Sequence, residues 1–189
     1  GDISVGRTHV GRAFDFHYGA SRVLLQLRPR RQCNVVRLAI DPVDNQIAFI
    51  IQLVGQPLAD DTAHDGGAIL ASGALTVTAS SFRDNRAAKN GGAVHAADLL
   101  LYDSIFERNR AEGWWGGGVF ATHLVAGRNT FLDNVAYAGG AIYLDGWEPP
   151  ASHLIVNSLF VDNVAANGAA IYANQLRADL LIRHVTVVG

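Results

Sequence analysis

The stretch FRDNRAAKNGGAV, residues 82–94, contains the two short motifs that decide the fold of this chain. One is a Phe followed three residues later by an Asn, and the other is a tetrad of three small residues and an aliphatic residue. The first recurs at Phe82/Asn85, Phe106/Asn109, Phe131/Asn134 and Phe160/Asn163. The tetrads GGAI, GGAV, GGGV, GGAI and GAAI begin at Gly66, Gly91, Gly116, Gly139 and Gly168. Such a repeat, with spacings of 23 to 29 residues between tetrads, predicts a solenoid.

In each repeat, the side chains alternate in character as they do in a β-strand. Side chains two positions apart share a face of a strand, so the aliphatic residue of each tetrad and the small residue two positions earlier point the same way. β-Branched residues and glycine pairs in the middle of the apolar segments disfavour a helix. We therefore expect an all-β fold of parallel coils, with a helical solenoid of similar period as the alternative.

The recurring Asn occupies one position in a turn, where it can bond to the backbone and tolerate left-handed dihedrals. Stacked coils would align these side chains about 4.8 Å apart, each amide bonding the next. The expected ladder consists of Asn85, Asn109, Asn134 and Asn163. A second polar row, two residues before each Phe, marks the place where the strand is expected to bend: Ser80, Ser104, Asn129 and Ser158.

The paired GGA[I/V] and FxxN motifs of residues 66–189 resemble the repeats of the polymorphic outer membrane protein family and related surface proteins. The resemblance implies a right-handed parallel β-helix with a pectin-lyase-like fold, in an extracellular or bacterial outer-surface setting. We expect about five regular coils in residues 65–189, after an irregular N-terminal capping region in residues 1–64. The chain contains no Met and stops at Gly189 before a last Asn, so we expect a processed or truncated piece of a longer protein.

Residues 1–64 lack the motif but contain strand-like runs at 23–27, 35–40 and 47–54. These runs predict either earlier, irregular coils or a cap over the first coil.

Net charge is −2, which gives no reason to expect nucleic acid as a partner. The single Cys33 cannot form an intramolecular disulfide, and no apolar run reaches the length of a transmembrane segment.

The candidate binding face consists of outward-facing positions, which core packing does not dictate. Directly after each tetrad stand Leu70, His95, Phe120, Tyr143 and Tyr172, a mostly aromatic row that we expect to face solvent. Trp114, Trp115 and Trp147 lie in flanking loops. Aromatic faces beside hydrogen-bonding groups suit a polysaccharide or a host or cell-surface protein. Alternatively, the row is buried under the N-terminal segment or a neighbour, or it serves stability alone.

Candidate catalytic residues are few. Asp145 and Glu148 flank Trp147, and a carboxylate pair held roughly 5 to 9 Å apart can hydrolyse a glycoside. The resemblance implies that a lyase of this fold would use an acidic calcium site with an Arg or Lys. Asp60, Asp61 and Asp65 could bind Ca²⁺, but they lack a full loop pattern. The seven histidines do not cluster, so no metal site and no cofactor are expected.

These features favour a non-enzymatic β-helix segment that acts as an adhesin or as a glycan- or protein-binding stalk. The alternative is a polysaccharide lyase or glycoside hydrolase acting across the same sheet. A purely structural spacer is the third possibility.

Overall fold

The computed structural model describes residues 62–146 and 152–189, together with the backbone of five strands nearer the N-terminus, at 4–7, 12–18, 21–27, 36–40 and 47–51. These described residues are all-β, with no helix among them. Parallel strands stack as a solenoid of about five turns, which confirms the fold class predicted from the repeat.

Twenty strands are present in the described residues. In chain order they are β1 (Ser4–Arg7), β2 (Arg12–Tyr18), β3 (Ser21–Leu27), β4 (Val36–Ile40), β5 (Ile47–Ile51), β6 (Thr62–Ala63), β7 (Ile69–Thr78), β8 (Ser81–Arg83), β9 (Arg86–Ala87), β10 (Val94–Tyr102), β11 (Ile105–Glu107), β12 (Arg110–Ala111), β13 (Val119–Gly127), β14 (Thr130–Leu132), β15 (Ile142–Asp145), β16 (His153–Val156), β17 (Leu159–Val161), β18 (Ile171–Asn174), β19 (Leu180–Arg183) and β20 (Thr186–Val188).

Three sheets of parallel strands run along the solenoid, and successive coils contribute to them in turn, although the short sheet has strands from only three coils. The large sheet contains β7, β10 and β13, followed by β15 and β16 and then by β18 and β19. The phenylalanine sheet has the order β20-β17-β14-β11-β8, and the short sheet has the order β12-β9-β6. Equivalent residues of successive coils are register partners, as in Val94 with Val119 and Phe106 with Phe131.

An insertion divides the large sheet after its third coil. β13 pairs with β15 along its first part and with β16 along its last part. Residues 146–152 separate β15 from β16, whereas the first three coils cross the same region as one continuous strand. The 29-residue spacing from Phe131 to Phe160 is therefore accommodated without loss of register in the phenylalanine sheet.

A stack of four phenylalanines lies at the centre of the core. Neighbouring ring centroids are 4.7, 5.0 and 4.9 Å apart, with planes within 15° of parallel. Each buried ring stabilises the fold by about 1.5–3 kcal/mol, and each aromatic contact adds about 0.5–1.5 kcal/mol. The four fully buried rings are Phe82, Phe106, Phe131 and Phe160.

The recurring asparagines form a ladder inside the solenoid. Nδ2 of Asn109 donates to Oδ1 of Asn134 at 2.9 Å and to the carbonyl oxygen of Phe82 at 3.0 Å. Asn85 donates to Asn109, and Asn134 to Asn163, in the same way. These bonds join each coil to the next and satisfy amides that would otherwise be buried without partners.

The left-handed residue of this turn is the one before the Asn, which corrects the expectation that the Asn itself takes these dihedrals. Its φ lies between 50° and 55° in all four coils. This conformation lets the Asn side chain point inward, while the preceding side chain points outward. The left-handed residues are Asp84, Arg108, Asp133 and Asp162.

The second polar row also bonds from coil to coil. The backbone N–H of Ser80 donates to Oγ of Ser104 at 3.1 Å, and that of Ser104 donates to Oδ1 of Asn129 at 3.0 Å. The backbone N–H of Asn129 donates to Oγ of Ser158 at 3.2 Å. All four residues are buried where the chain turns from the large sheet into the phenylalanine sheet.

The second glycine of each tetrad lies where neighbouring coils approach most closely. A Cβ added at Gly92 would meet the carbonyl oxygen of Gly117 and lie 2.6 Å from the backbone nitrogen of Arg110. No side chain fits in that space without moving the next coil.

The N-terminal strands partly match the predicted runs. β3, β4 and β5 cover most of 23–27, 35–40 and 47–54, and β1, β2 and β3 form an antiparallel sheet. β4 pairs antiparallel with β5, and β5 pairs in parallel with β7, so the large sheet continues beyond the first tetrad. The division into a cap of residues 1–64 and coils of residues 65–189 stays a prediction.

Candidate functional site

The aromatic row after the tetrads runs along the large sheet in register. His95 pairs with Phe120, Phe120 with Tyr143, and Tyr143 with Tyr172. Ring centroids in this row are 4.5 Å apart for His95 and Phe120, 5.3 Å for Phe120 and Tyr143, and 5.4 Å for Tyr143 and Tyr172. Parallel register at neighbouring strands brings the rings into contact.

Two rings of this row are covered, which corrects the expectation that the row faces solvent. Phe120 is 6% exposed and Tyr143 is 2% exposed. The half-buried indole of Trp115 packs on both, parallel to Tyr143 at 4.9 Å and to Phe120 at 6.3 Å. His95 and Tyr172, at the two ends of the stack, are half-buried.

Trp115 occupies a regular position of the repeat, directly before the first glycine of its tetrad, and it pairs in register with Ala138 of the next coil. Ala138 packs in the same cluster as Phe120 and Tyr143. A large side chain at this position therefore lies on the aromatic row. Trp114 then points away, with its ring perpendicular to that of Trp115 at 5.2 Å.

The burial of Tyr143 changes the pKa of its hydroxyl group. Burial, together with the neighbouring Asp145 and Tyr172, raises the pKa of the Tyr143 hydroxyl to about 12. The hydroxyl therefore stays protonated at neutral pH.

The exposed aromatic side chains lie instead in the turn before the tetrads. Trp114 is 47% exposed and Tyr137 is 60% exposed. The backbone N–H of Tyr137 donates to the carbonyl oxygen of Trp114 at 2.9 Å, which fixes the two residues on adjacent coils. Nζ of Lys89, from the preceding coil, lies 5.9 Å from the centroid of the Trp114 ring.

Residues 79–97 match the family model of the Chlamydia polymorphic membrane protein repeat. The matched segment contains the first FxxN motif, the second tetrad and β8 to the start of β10. This chain carries a polymorphic membrane protein-type repeat in a parallel β-helix. No curated protein and no solved structure matches the chain.

The repeat also organises an ionic cluster on the first two coils. Nδ1 of His64 donates to Oδ2 of Asp65 at 2.8 Å, and the backbone N–H of Asn90 donates to Oδ1 of Asp65 at 3.2 Å. Nδ1 of His95 lies 3.7 Å from Oδ1 of Asp65. Burial opposes ionisation of Asp65, but the contacts with His64, Asn90 and His95 outweigh it and lower its pKa. Burial lowers the pKa of His95, although Asp65 opposes that shift.

The candidate catalytic residues are only partly described. Oδ1 of Asp145 accepts a long hydrogen bond of 3.4 Å from Nδ2 of Asn174 on the next coil. Glu148 and Trp147 lie outside the described residues. The carboxylate pair required for glycoside hydrolysis therefore stays a prediction.

The described residues do not form a metal site. Within 62–146 and 152–189, no group of three or more His, Cys, Asp or Glu side chains has an arrangement that could hold a metal ion. Asp60 and Asp61 lie outside the described residues, and Asp65 is held by His64. Helices long and apolar enough to cross a membrane are absent from the described part of the chain.

Sequence reasoning found Trp114 but missed Tyr137 and Lys89. Each lies two residues before the first glycine of its tetrad, at the position that His64 and Trp114 occupy in their own coils. Alignment on the tetrads rather than on the phenylalanines would have placed these side chains in one column. The residues directly before the first tetrad glycine form another column, in which Trp115 is the aromatic side chain that covers Phe120: Asp65, Asn90, Trp115, Ala138 and Asn167.

Proposed function

We propose that this chain is part of a surface-displayed β-helix that binds a polysaccharide or a protein of another surface. The matched Chlamydia polymorphic membrane protein repeat supports a bacterial outer-surface setting, because that family points to this location. The proposal includes adhesion as the function of the chain and a pectin-lyase-like fold for its solenoid.

The observation that carries the proposal is the pair of exposed rings at Trp114 and Tyr137. A backbone hydrogen bond between adjacent coils fixes the backbone of both residues, and the Trp114 ring also contacts Trp115 and Lys89. Large aromatic side chains are typical anchors of binding surfaces, since they supply contact area at low entropic cost. Tyr172 and His95, which are half-buried, stay predicted contributors, while Phe120 and Tyr143 lie between them in the row.

The test is binding of the purified chain to a glycan array and to intact host cells before and after protease treatment. We expect the double variant Trp114→Ala/Tyr137→Ala to lose binding by about tenfold or more, equivalent to about 1.4 kcal/mol. The matched control is Leu100→Ala/Ile105→Ala, which removes two exposed apolar side chains at 43% and 38% exposure on other strands. Equal binding by both double variants, or no binding to any glycan or cell, would reject the proposal.

A further inference from the structure

The outer side of the short sheet is basic. Arg86 and Arg110 are register partners on β9 and β12, and both side chains are exposed, because the following Ala87 and Ala111 point into the core. The turn that follows this sheet carries Lys89, whose ammonium lies over Trp114. Cations and exposed rings therefore occupy one continuous surface. We name Arg86, Lys89, Arg110, Trp114 and Tyr137 the basic aromatic face.

The positive charge of the basic aromatic face is not balanced by acidic residues of the same surface. Arg86 forms an ion pair with Glu112, which lies two residues before Trp114. Lys89 and Arg110 form no ion pair with any side chain in the described ranges 62–146 and 152–189. Three cations against Glu112 leave two positive charges in excess, although the whole chain carries −2.

Two neighbouring carboxylates, those of Asp84 and Asp65, are already matched by other groups. Arg108 binds both carboxylate oxygens of Asp84 at 2.7 and 2.9 Å. Asp65 is engaged by His64 and by the backbone of Asn90. The excess charge at Lys89 and Arg110 is therefore available to an external anion.

Two chemical groups are needed in a ligand for this face: an anion for the cations and an apolar ring face for the indole and the phenol. A guanidinium recognises carboxylate or sulfate through paired N–H donors, and a sugar ring presents its C–H face to an aromatic ring. Each kind of site occupies two neighbouring coils about 4.8 Å apart, the arginines at Arg86 and Arg110 and the rings at Trp114 and Tyr137. A polymer that carries an anionic group and a ring in each unit fits these neighbouring sites.

We infer that the basic aromatic face binds an acidic polysaccharide, with carboxylate or sulfate groups on Arg110 and Lys89 and sugar rings on Trp114 and Tyr137. This inference rests on the proposed function and specifies its ligand class. Single-stranded nucleic acid also combines anions and rings. The small excess of charge and the sequence pI of about 6.4 favour the polysaccharide, because nucleic-acid-binding domains are strongly basic.

The test is a calorimetric titration of the chain with polygalacturonate, hyaluronate and heparin. Fully methyl-esterified polygalacturonate is the neutral matched probe, and a single-stranded DNA oligonucleotide is the competing anion. We expect at least one acidic polysaccharide to bind about tenfold more tightly than the ester and the DNA. That binding should weaken when salt rises from about 0.1 M to about 0.5 M, because exposed charges are then screened.

Two single substitutions test whether the polysaccharide binds at the basic aromatic face. Arg110→Gln and Trp114→Ala should each weaken the acidic polysaccharide by about tenfold or more. The matched controls are Arg128→Gln and Tyr102→Ala. Arg128 lies 5.7 Å from the Tyr102 ring but is neutralised by two 2.7 Å bonds to Asp103. The control variants should bind as the unmodified chain does, and thermal midpoints check that every variant is folded.

The outcomes separate this inference from the proposed function. Failure of all three acidic polysaccharides to bind, equal binding of the ester or of DNA, or unchanged binding by Arg110→Gln and Trp114→Ala would overturn the inference. If the chain then binds a neutral glycan or a cell-surface protein through Trp114, the proposed function stands without it. If the chain binds no glycan and no cell surface, both the inference and the proposed function are rejected.

Discussion

The indole of Trp115 lies parallel to the phenol ring of Tyr143, with centroids 4.9 Å apart and planes 9° from parallel. This contact joins a turn of the third coil to a strand of the fourth. It covers the middle of the aromatic row and leaves the adjacent Trp114 as the exposed indole. Two neighbouring tryptophans thus have different roles, one in packing and the other at the surface.

Substitution of the two tryptophans should separate these roles. We expect Trp115→Ala to lower the free energy of unfolding by on the order of 2 kcal/mol, because it removes stacking on Phe120 and Tyr143. Trp114→Ala should change it by no more than about 0.5 kcal/mol, since the side chain is exposed. Urea denaturation measures both. A Trp114→Ala loss as large as that of Trp115→Ala would contradict the assignment.

The asparagine ladder gives a second prediction. In Asn134→Ala, the backbone N–H of Asn109 loses the acceptor that it has at 3.0 Å, and the Phe106 carbonyl loses its side-chain donor. A buried group without a partner costs about 1–3 kcal/mol, and each kcal/mol lowers the thermal midpoint by about 2–4 °C in a chain of this size. Asn167→Ala, at an exposed position, is the control. An unchanged midpoint for Asn134→Ala would show that the ladder adds no stability.

The buried His153 predicts a pH dependence. Its side chain is 2% exposed, and Nδ1 accepts the backbone N–H of Leu124 at 3.3 Å, so the folded state favours the neutral ring. Burial, and to a smaller extent His123, lowers the pKa of His153 below its ordinary value of 6.5. The unfolded chain therefore binds the proton first, and stability should fall as pH drops below about 6.5 toward the folded-state pKa.

Urea denaturation between about pH 5 and pH 8 measures this slope, which is at most about 1.4 kcal/mol per pH unit for one proton. His153→Gln should reduce the slope without abolishing it, because the lowered pKa of His95 acts in the same direction. A slope that is identical in His153→Gln would exclude His153 as its source.

The repeat made the fold predictable because the same constraint acts in every coil. Phe106 must stack on Phe82 and Phe131, and the space beside Gly92 admits no side chain, so these identities recur at matching positions. Repetition shows which residues the core dictates. The register could therefore be predicted from one sequence.

The surface was harder to predict because it depends on features that do not repeat. Trp115 is a large aromatic side chain at the position directly before a tetrad glycine, where the other coils have Asp65, Asn90, Ala138 and Asn167. The outward direction of Phe120 was inferred correctly from alternation, but alternation does not reveal that another side chain of the same protein covers it. The binding roles of the aromatic residues stay predictions.

Cross-linking in register tests the stacking of the coils most directly. Ile105 and Thr130 are parallel register partners on β11 and β14, about 4.8 Å apart, within the range that a disulfide spans. In a Cys33→Ser background, we predict that Ile105→Cys/Thr130→Cys forms a disulfide on mild oxidation. The matched pair Ile105→Cys/Leu132→Cys, displaced by two residues to about 8 Å, should stay reduced. Mass spectrometry that finds the displaced bridge and not the first would contradict the in-register solenoid.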